Sequence, residues 1–386
     1  MKVALSTPGK FHTLDLAREL HARGLLAGVY TGYPRFKLKN EGLPAERLHT
    51  FPWLMTPYMA YPWGRVLPPR AIHRWQRAMA HSLDAWTVRT LAPCDVFVGL
   101  SGSAWRTGQM QQARGGRYVC DRGSAHIRTQ DELLREEHRA WGVPFDGIDP
   151  HAIEREEREY AQADRITVPS GFVMRSFIER GVPADKLRLL PYGVNLQRFE
   201  PVGQPDPNRF DVLFVGGMSL QKGIPYLLQA FARLKHPRKS LRLAGMASPA
   251  LMDHLKRKGL WSSGIEVLGH VPQTELKPLM SQSHVKVLPS VQDGMGMVLA
   301  QAMACGCPVI ASEHTGVRDL VDDGVEGFVV PVRSAQAIAD RLQRLADEPG
   351  LRQRMGLAAL ARVRGVGGWR DYGDRAVAIY RELLTA

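Results

Sequence analysis

The chain has 386 residues, 44% of them hydrophobic and 23% charged, and 51 Lys plus Arg against 38 Asp plus Glu leave it at +13. At roughly 100–200 residues per domain, this length means two domains or one large one. A small fold held together by staples is excluded, and the apolar share excludes a disordered chain.

Four cysteines, Cys94, Cys120, Cys305 and Cys307, are too sparse for a disulfide framework and point to a reducing compartment. Cys305 and Cys307 have no second cysteine or histidine pair at zinc-binding spacing, so they read as small core residues. The opening MKVALSTPGKF is too short an apolar stretch for a secretory leader, and no apolar run reaches the roughly 18–20 residues of a membrane span. A cytoplasmic protein without a transmembrane anchor is expected.

In chain order, MKVALST reads as a first strand, Pro8 and Gly9 as a turn, and Thr13 to Arg23 as a helix ended by Gly24. Between Glu46 and Asp84 there is no acidic residue, while Arg47, Arg65, Arg70, Arg74 and Arg77 alternate with Phe51, Trp53, Tyr58, Tyr61, Trp63 and Trp75. From Arg70 onward a helical period sets Ile72, Trp75, Met79, Leu83 and Trp86 on one face, with Arg70, Arg74 and Arg77 mostly off it. That pattern fits a helix packed on its own domain with solvated arginines, or a surface that meets an anionic membrane. Further strands are CDVFVGL (94–100), GRYVC (116–120), RITVPS (165–170) and KLRLLPYG (186–193), and the helix carrying Glu154, Glu156, Glu157 and Glu159 reads as a mostly solvated face.

After Phe199 the stretch EPVGQPDPNRF reads as a linker. A second series follows: DVLFVGG (211–217), SLRLAG (240–245), GIEVLG (264–269), VKVLPS (285–290) and CPVIAS (307–312). Strands alternating with helical patterns predict an α/β protein of two Rossmann-like doubly wound domains facing across a cleft, with ligands at the carboxyl ends of the strands. The expected divisions are 1–198, 199–368 and a closing helix, 369–386, whose Tyr372, Ala376, Ile379, Tyr380 and Leu383 share a face that docks back toward the first domain.

The first strand is not followed by G-x-G-x-x-G, only by Gly9, which argues against a nicotinamide enzyme. The second series is richer. Lys222, with Gly216, Gly217 and Gly223, stands where a helix begins and could hold a pyrophosphate; a glycine turn beside a solvated lysine explains the same spacing equally well. In LPSVQDGMGMVLAQAMACGCPVIAS (288–312) a strand delivers Asp293 into a glycine loop, and the next helix puts Gln301 about two turns further on. Two hydrogen-bonding side chains, bare backbone amides and a helix start suit a polyhydroxylated, phosphorylated ligand.

This segment resembles the donor site of the retaining glycosyltransferases of family four, which have the two-domain GT-B fold. Their pattern reads P-S-x-x-E-G-F-G-x-x-x-x-E-A-M-A-C-G-x-P-V-I-A; here Asp293 and Gln301 stand at the two glutamates. Residues 162–173, 181–201, 214–231 and Trp369 to Tyr380 also resemble family blocks, though Gly217 takes the place of a frequent arginine.

The resemblance implies roles residue by residue. Lys222 would neutralise the donor diphosphate, which Gly9 would approach from the facing domain. Asp293 would hold sugar hydroxyls, the amides of Gly294, Met295 and Gly296 would face sugar and phosphate, Gln301 would face the ribose, and the backbone near Val271 would flank the base. His126, at the end of CDRGSAH, would lie beside the donor sugar, with Arg122 in reach of a phosphate on the acceptor side.

The implied reaction transfers a sugar from a UDP- or GDP-linked donor to an acceptor hydroxyl with retention, the departing diphosphate helping to deprotonate the acceptor. Neither a metal nor a further cofactor is expected. A glycan or lipid-linked acceptor of the cell envelope is implied, with peripheral attachment to the inner face of the membrane through Arg70, Arg74 and Arg77. The alternatives are a non-catalytic scaffold that binds a nucleotide sugar or a membrane, and an epimerase of the same fold. A nucleic-acid partner, which the charge alone allows, has no recognition module to support it.

Overall fold

The computed structural model describes residues 1–60, 66–195 and 198–385; Tyr61, Trp63 and Arg65 of the basic aromatic stretch lie outside them. Among the described residues, thirteen strands form two parallel sheets. The first contains β1 (Val3–Thr7), β2 (Leu26–Thr31), β3 (Leu48–Thr50), β4 (Val96–Leu100), β5 (Arg117–Asp121), β6 (Arg165–Val168) and β7 (Leu187–Leu189), in the order 3-2-1-4-5-6-7. The second contains β8 (Phe210–Val215), β9 (Lys239–Ala244), β10 (Ile265–Gly269), β11 (Val285–Leu288), β12 (Val309–Ser312) and β13 (Gly327–Val330), in the order 10-9-8-11-12-13. Helices cover both faces, which is why VALST, FDVLFV and VKVL are buried along their whole length instead of alternating.

This is the doubly wound α/β architecture that the strand rhythm predicts. Three strands escape the sequence reading. LAGVYT is broken by Gly28, LHT is only three residues long, and GFVV follows a turn-rich stretch that hides its apolar run.

The two units are stitched together at several places. The indole N–H of Trp141 donates to the Tyr226 hydroxyl, which donates to Glu137, and the Arg333 guanidinium reaches Glu137 at 2.8 Å and Glu136 at 3.1 Å. The last helix, Trp369–Thr385, returns to the first unit: its Asp374 takes two bonds from Arg23 and its Glu382 pairs with Arg188. Its buried face is Tyr372, Gly373, Ala376, Val377, Tyr380 and Leu383, with Ile379 half-buried at the margin. The crossover demands close backbone approach, because a Cβ at Gly193 would lie 2.6 Å from the backbone of Gly368 and Trp369.

The helix Pro150–Gln162 departs from expectation. Glu156 and Glu159 are buried, not solvated: Glu159 accepts the amides of Gly102 and Ala104, while Glu156 pairs with Arg122 at 2.6 Å. Burial pushes the Glu159 carboxyl up to about 7 against the opposing pull of those amides and Arg155.

Lys286, the second residue of β11, is also buried, and its ammonium nitrogen has no hydrogen-bond partner. Burial pulls it down to about 7 from its ordinary 10.5. Because the folded form disfavours the proton, the resulting destabilisation is complete below pH about 7 and fades as pH rises toward 10.5. Lys286→Met is therefore expected to raise the unfolding free energy relative to the parent by roughly 2–4 kcal/mol more at pH 6 than at pH 10, as read from urea melts at the two pH values. An equal effect at both would show that Lys286 is not held against its charge.

Candidate functional site

In each sheet the chain order reverses beside the first strand of the unit: β1 lies between β2 and β4, and β8 between β9 and β11. The loops leaving those strands diverge and open a crevice at the carboxyl edge. The two carboxyl edges face each other across a cavity of about 1310 Å³, lined by Lys10, His12 and Arg122 from the first unit and Gln273, Met297 and Gln301 from the second, among others.

On the second unit, the loops after β8 and β11 interlock. The amide of Val291 donates to Gln221 O at 2.8 Å, and the Gln221 side chain donates to Gln292. Gly223, at φ +68°, opens the helix Ile224–Arg233, and a Cβ there would lie 2.0 Å from Pro289 O. Only glycine gives both that backbone conformation and that approach. The interlock carries Lys222 against Asp293, with which it forms an ion pair. Ammonium and carboxylate thus sit side by side, 27% and 16% exposed, a donor for phosphate oxygens next to an acceptor for hydroxyls.

The predicted donor residues divide. Lys222 and Asp293 are brought together, on loops that are not themselves part of the cavity lining, and Gln301 lines the cavity from the helix Met297–Ala304. Gly294 and Met295 lie in the loop between them, but the amide of Gly296 is spent on Thr315 O at 3.0 Å, which corrects the expectation that it is bare. Gly216 and Gly217 follow β8, Gly216 at φ +148° and Gly217 exposed, and neither lines the cavity. Val271, after β10, and Gly9, after β1, also lie outside its lining, although Gly9 directly precedes Lys10, Phe11 and His12, which belong to it.

His126 is not a cleft residue. It caps the helix Ile127–Trp141, accepting the Arg128 amide, and packs between Tyr160 and Phe177; burial lowers it to about 4. Arg122 does reach the cavity floor, but it is engaged by Glu156, Ala125 O and Gln130 and is not free for a phosphate.

The histidine that lines the cavity is His12, which stands between the predicted turn and helix and which the sequence reading did not single out. Its Nε2 lies 2.6 Å from Asp121 Oδ2, at the end of β5, and its ring packs on Tyr192 with centroids 4.3 Å apart. Asp121 is fixed in turn by the Thr167 hydroxyl at 2.9 Å.

The two walls meet around Gly294. A Cβ on Gly294 would lie 1.8 Å from Gly123 O, the Ser170 hydroxyl donates to Gly294 O at 2.6 Å, and Gln292 donates to the Ser124 hydroxyl at 2.6 Å.

The arginine cluster lies away from the cavity. Arg77 is paired with Asp149 at 3.1 Å, which removes it from the set of free surface cations. Arg70 and Arg74 are exposed on the helix Pro69–Thr90, near the exposed Trp53, Met59 and Val66. On that helix Trp75 turns inward, its indole N–H donating to Leu54 O and its ring meeting Tyr58 edge-on.

Among the described residues no group of three or more His, Cys, Asp or Glu side chains is placed to hold a metal, and no helix is long and apolar enough to cross a membrane. Cys305 and Cys307 are buried free thiols.

Residues 10–198 match the family described as Glycosyltransferase Family 4, and residues 197–362 match Glycosyl transferases group 1. Alpha-D-kanosaminyltransferase of Streptomyces kanamyceticus is 30% identical over 176 residues, 45% of this chain and 45% of that one. D-inositol 3-phosphate glycosyltransferase of Frankia alni is 27% identical over 303 residues, 73% of each. The chain thus spans about half of the first of these relatives and about three quarters of the second. Among solved structures, Anabaena HepE in complex with UDP and glucose superposes with a TM-score of 0.73 at 18% identity, over 99% of this chain and 100% of that one, a likeness of fold.

The contact between the walls is testable. Gly294→Ala cannot be accommodated without moving Gly123, so it is expected to cost roughly 1–3 kcal/mol in denaturant unfolding and to enlarge the radius of gyration in X-ray scattering. Parent-like values for both would show that the two loops do not meet this closely in solution.

Proposed function

The chain joins a Glycosyltransferase Family 4 domain to a Glycosyl transferases group 1 domain in the GT-B architecture, and on that premise we propose that it transfers a sugar from a nucleoside diphosphate sugar to an acceptor hydroxyl, with retention of anomeric configuration. The observation that carries this reading is the Lys222–Asp293 pair, next to Gly294 where it abuts the cavity-lining Gly123, on the same unit as Gln301, which lines the cavity.

A diphosphate entering there would exchange Lys222's bond to Asp293 for charge-assisted bonds to phosphate oxygens. The released carboxylate would then accept from sugar hydroxyls. Gln301 offers one acceptor and one donor to the ribose, where a glutamate would offer only acceptors. The leaving diphosphate gains charge as its bond to the sugar breaks, and a cation already in position stabilises that charge without reorganisation. UDP-linked sugars are the first donors to try, since HepE, of the same fold, was solved with UDP and glucose; GDP-linked sugars are the second.

The acceptor belongs on the side of the first unit. Arg70, Arg74 and the exposed Trp53, Met59 and Val66 support a peripheral contact with an anionic bilayer, which would bring the cavity to a lipid-linked or envelope glycan acceptor.

Two measurements test these readings. Lys222→Ala is expected to weaken binding of a nucleoside diphosphate sugar roughly 10–100-fold in calorimetry and to slow transfer, while Asp293→Ala reduces binding of the sugar nucleotide more than that of the free nucleoside diphosphate. Unchanged binding in Lys222→Ala would remove that residue from the site. In sedimentation with vesicles of anionic lipid at low salt, the protein is expected to pellet, less so as salt rises and when Arg70 and Arg74 are changed to Glu. Failure to pellet at low salt would leave a soluble acceptor.

A further inference from the structure

Resting on the transferase reading above, we propose that His12, oriented by Asp121, is the base that takes the proton from the acceptor hydroxyl. Asp121 Oδ2 lies 2.6 Å from His12 Nε2, and its other oxygen accepts from Thr167, so the carboxylate is fixed from two sides. An ionised carboxylate only accepts, so Nε2 carries the ring proton and Nδ1 is left with its lone pair. His12 begins the helix Thr13–Ala22, yet its side chain makes no capping bond there, and what remains exposed of it, 7%, belongs to a residue that lines the cavity. The free lone pair therefore opens on the space between the two units.

Its distance from the donor loop is short and set by packing. A Cβ on Gly123 would lie 3.7 Å from His12 Cε1, and the carbonyl of the same Gly123 abuts Gly294. On the ring's other contact, Tyr192 packs at a tilt on His12 while its own amide donates to Met295 Sδ, 3.3 Å away. Two one-residue links thus tie the imidazole to the loop that carries Asp293. A Cβ on Gly294 would lie 1.8 Å from Gly123 O, and one on Gly123 would lie 2.8 Å from the Tyr192 hydroxyl.

In the step this assigns, the acceptor approaches the anomeric carbon on the face from which the diphosphate departs, as retention requires, and its O–H proton passes to Nδ1 as its oxygen bonds to that carbon. The bond from that carbon to the phosphate oxygen breaks, and its electron pair leaves with the nucleoside diphosphate. The imidazolium, held by Asp121, then loses its proton to solvent. The proton acceptor is the protein, in place of the leaving phosphate, and the acceptor is a hydroxyl-bearing molecule seated against the β1 edge.

The test uses the full-length protein with the nucleoside diphosphate sugar that it turns over. His12→Ala is expected to lower kcat by roughly 10²–10⁴-fold while leaving the donor's dissociation constant within about twofold, and added imidazole is expected to restore part of the lost rate. Asp121→Asn, which keeps the shape but removes the charge that selects the tautomer, is expected to lower kcat in the same direction without imidazole rescue. Melting temperatures of both variants separate loss of fold from loss of chemistry, and His12→Gln serves if His12→Ala is unfolded.

A parent-like kcat in His12→Ala, or a folded His12→Ala whose lost rate imidazole does not restore, overturns the proposal while leaving the transferase reading in place. If the parent neither binds nor turns over any nucleoside diphosphate sugar, the transferase reading falls and this inference with it.

Discussion

Between Gly123 and Gly294 there is no space for even one methyl group, since a Cβ on the latter would meet the former's carbonyl at 1.8 Å. This contact joins the carboxyl edge of one parallel sheet to that of the other, and the cavity lies beside it. With the loops that close, a side chain after β1 and a side chain after β11 can address the same small molecule. Any bulk at the contact would move both walls apart and separate His12 from Asp293 before either touched a ligand.

The rest of the scaffold holds that contact in register. Glu137 gathers Tyr226 and Arg333 from the second unit, and the closing helix binds Arg23 and Arg188 of the first. Within the first unit, Glu159 ties the amides after β4, and Glu156 ties Arg122 at the cavity floor. These buried carboxylates position loops by hydrogen bonds that an apolar core cannot make, and they accept desolvation to do so, as the raised Glu159 carboxyl records. Lys286 has no such partner, and its burial outweighs the pull of the nearby Asp293.

Much of the fold was legible because buried parallel strands are written as short continuous apolar runs: VKVLPS and DVLFVGG announce themselves. LHT could not, since three residues carry no period, and neither could the glutamates of the helix Pro150–Gln162, whose pattern resembles a solvated face until the loop after β4 is folded over them. Lys222, Asp293 and Gln301 were legible from the spacing of glycines, strand and helix and from the family pattern they resemble. His12 was not. A single histidine in a turn has no signature, and its partner Asp121 lies 109 positions away, paired only because β5 and β1 flank β4. His126 looked more informative in the sequence because it closes a family-like block, yet its ring turns into the core between Tyr160 and Phe177.

The central claim is that one ligand spans the two carboxyl edges, its diphosphate at Lys222 and its sugar toward His12. A crystal structure with a bound nucleoside diphosphate sugar tests it most directly. The account predicts phosphate oxygens within hydrogen-bond reach of Lys222 Nζ, sugar hydroxyls on Asp293, and the anomeric carbon on the side of the cavity that His12 faces. A nucleotide bound to the first unit alone, or one that leaves the Lys222–Asp293 pair intact, would contradict it.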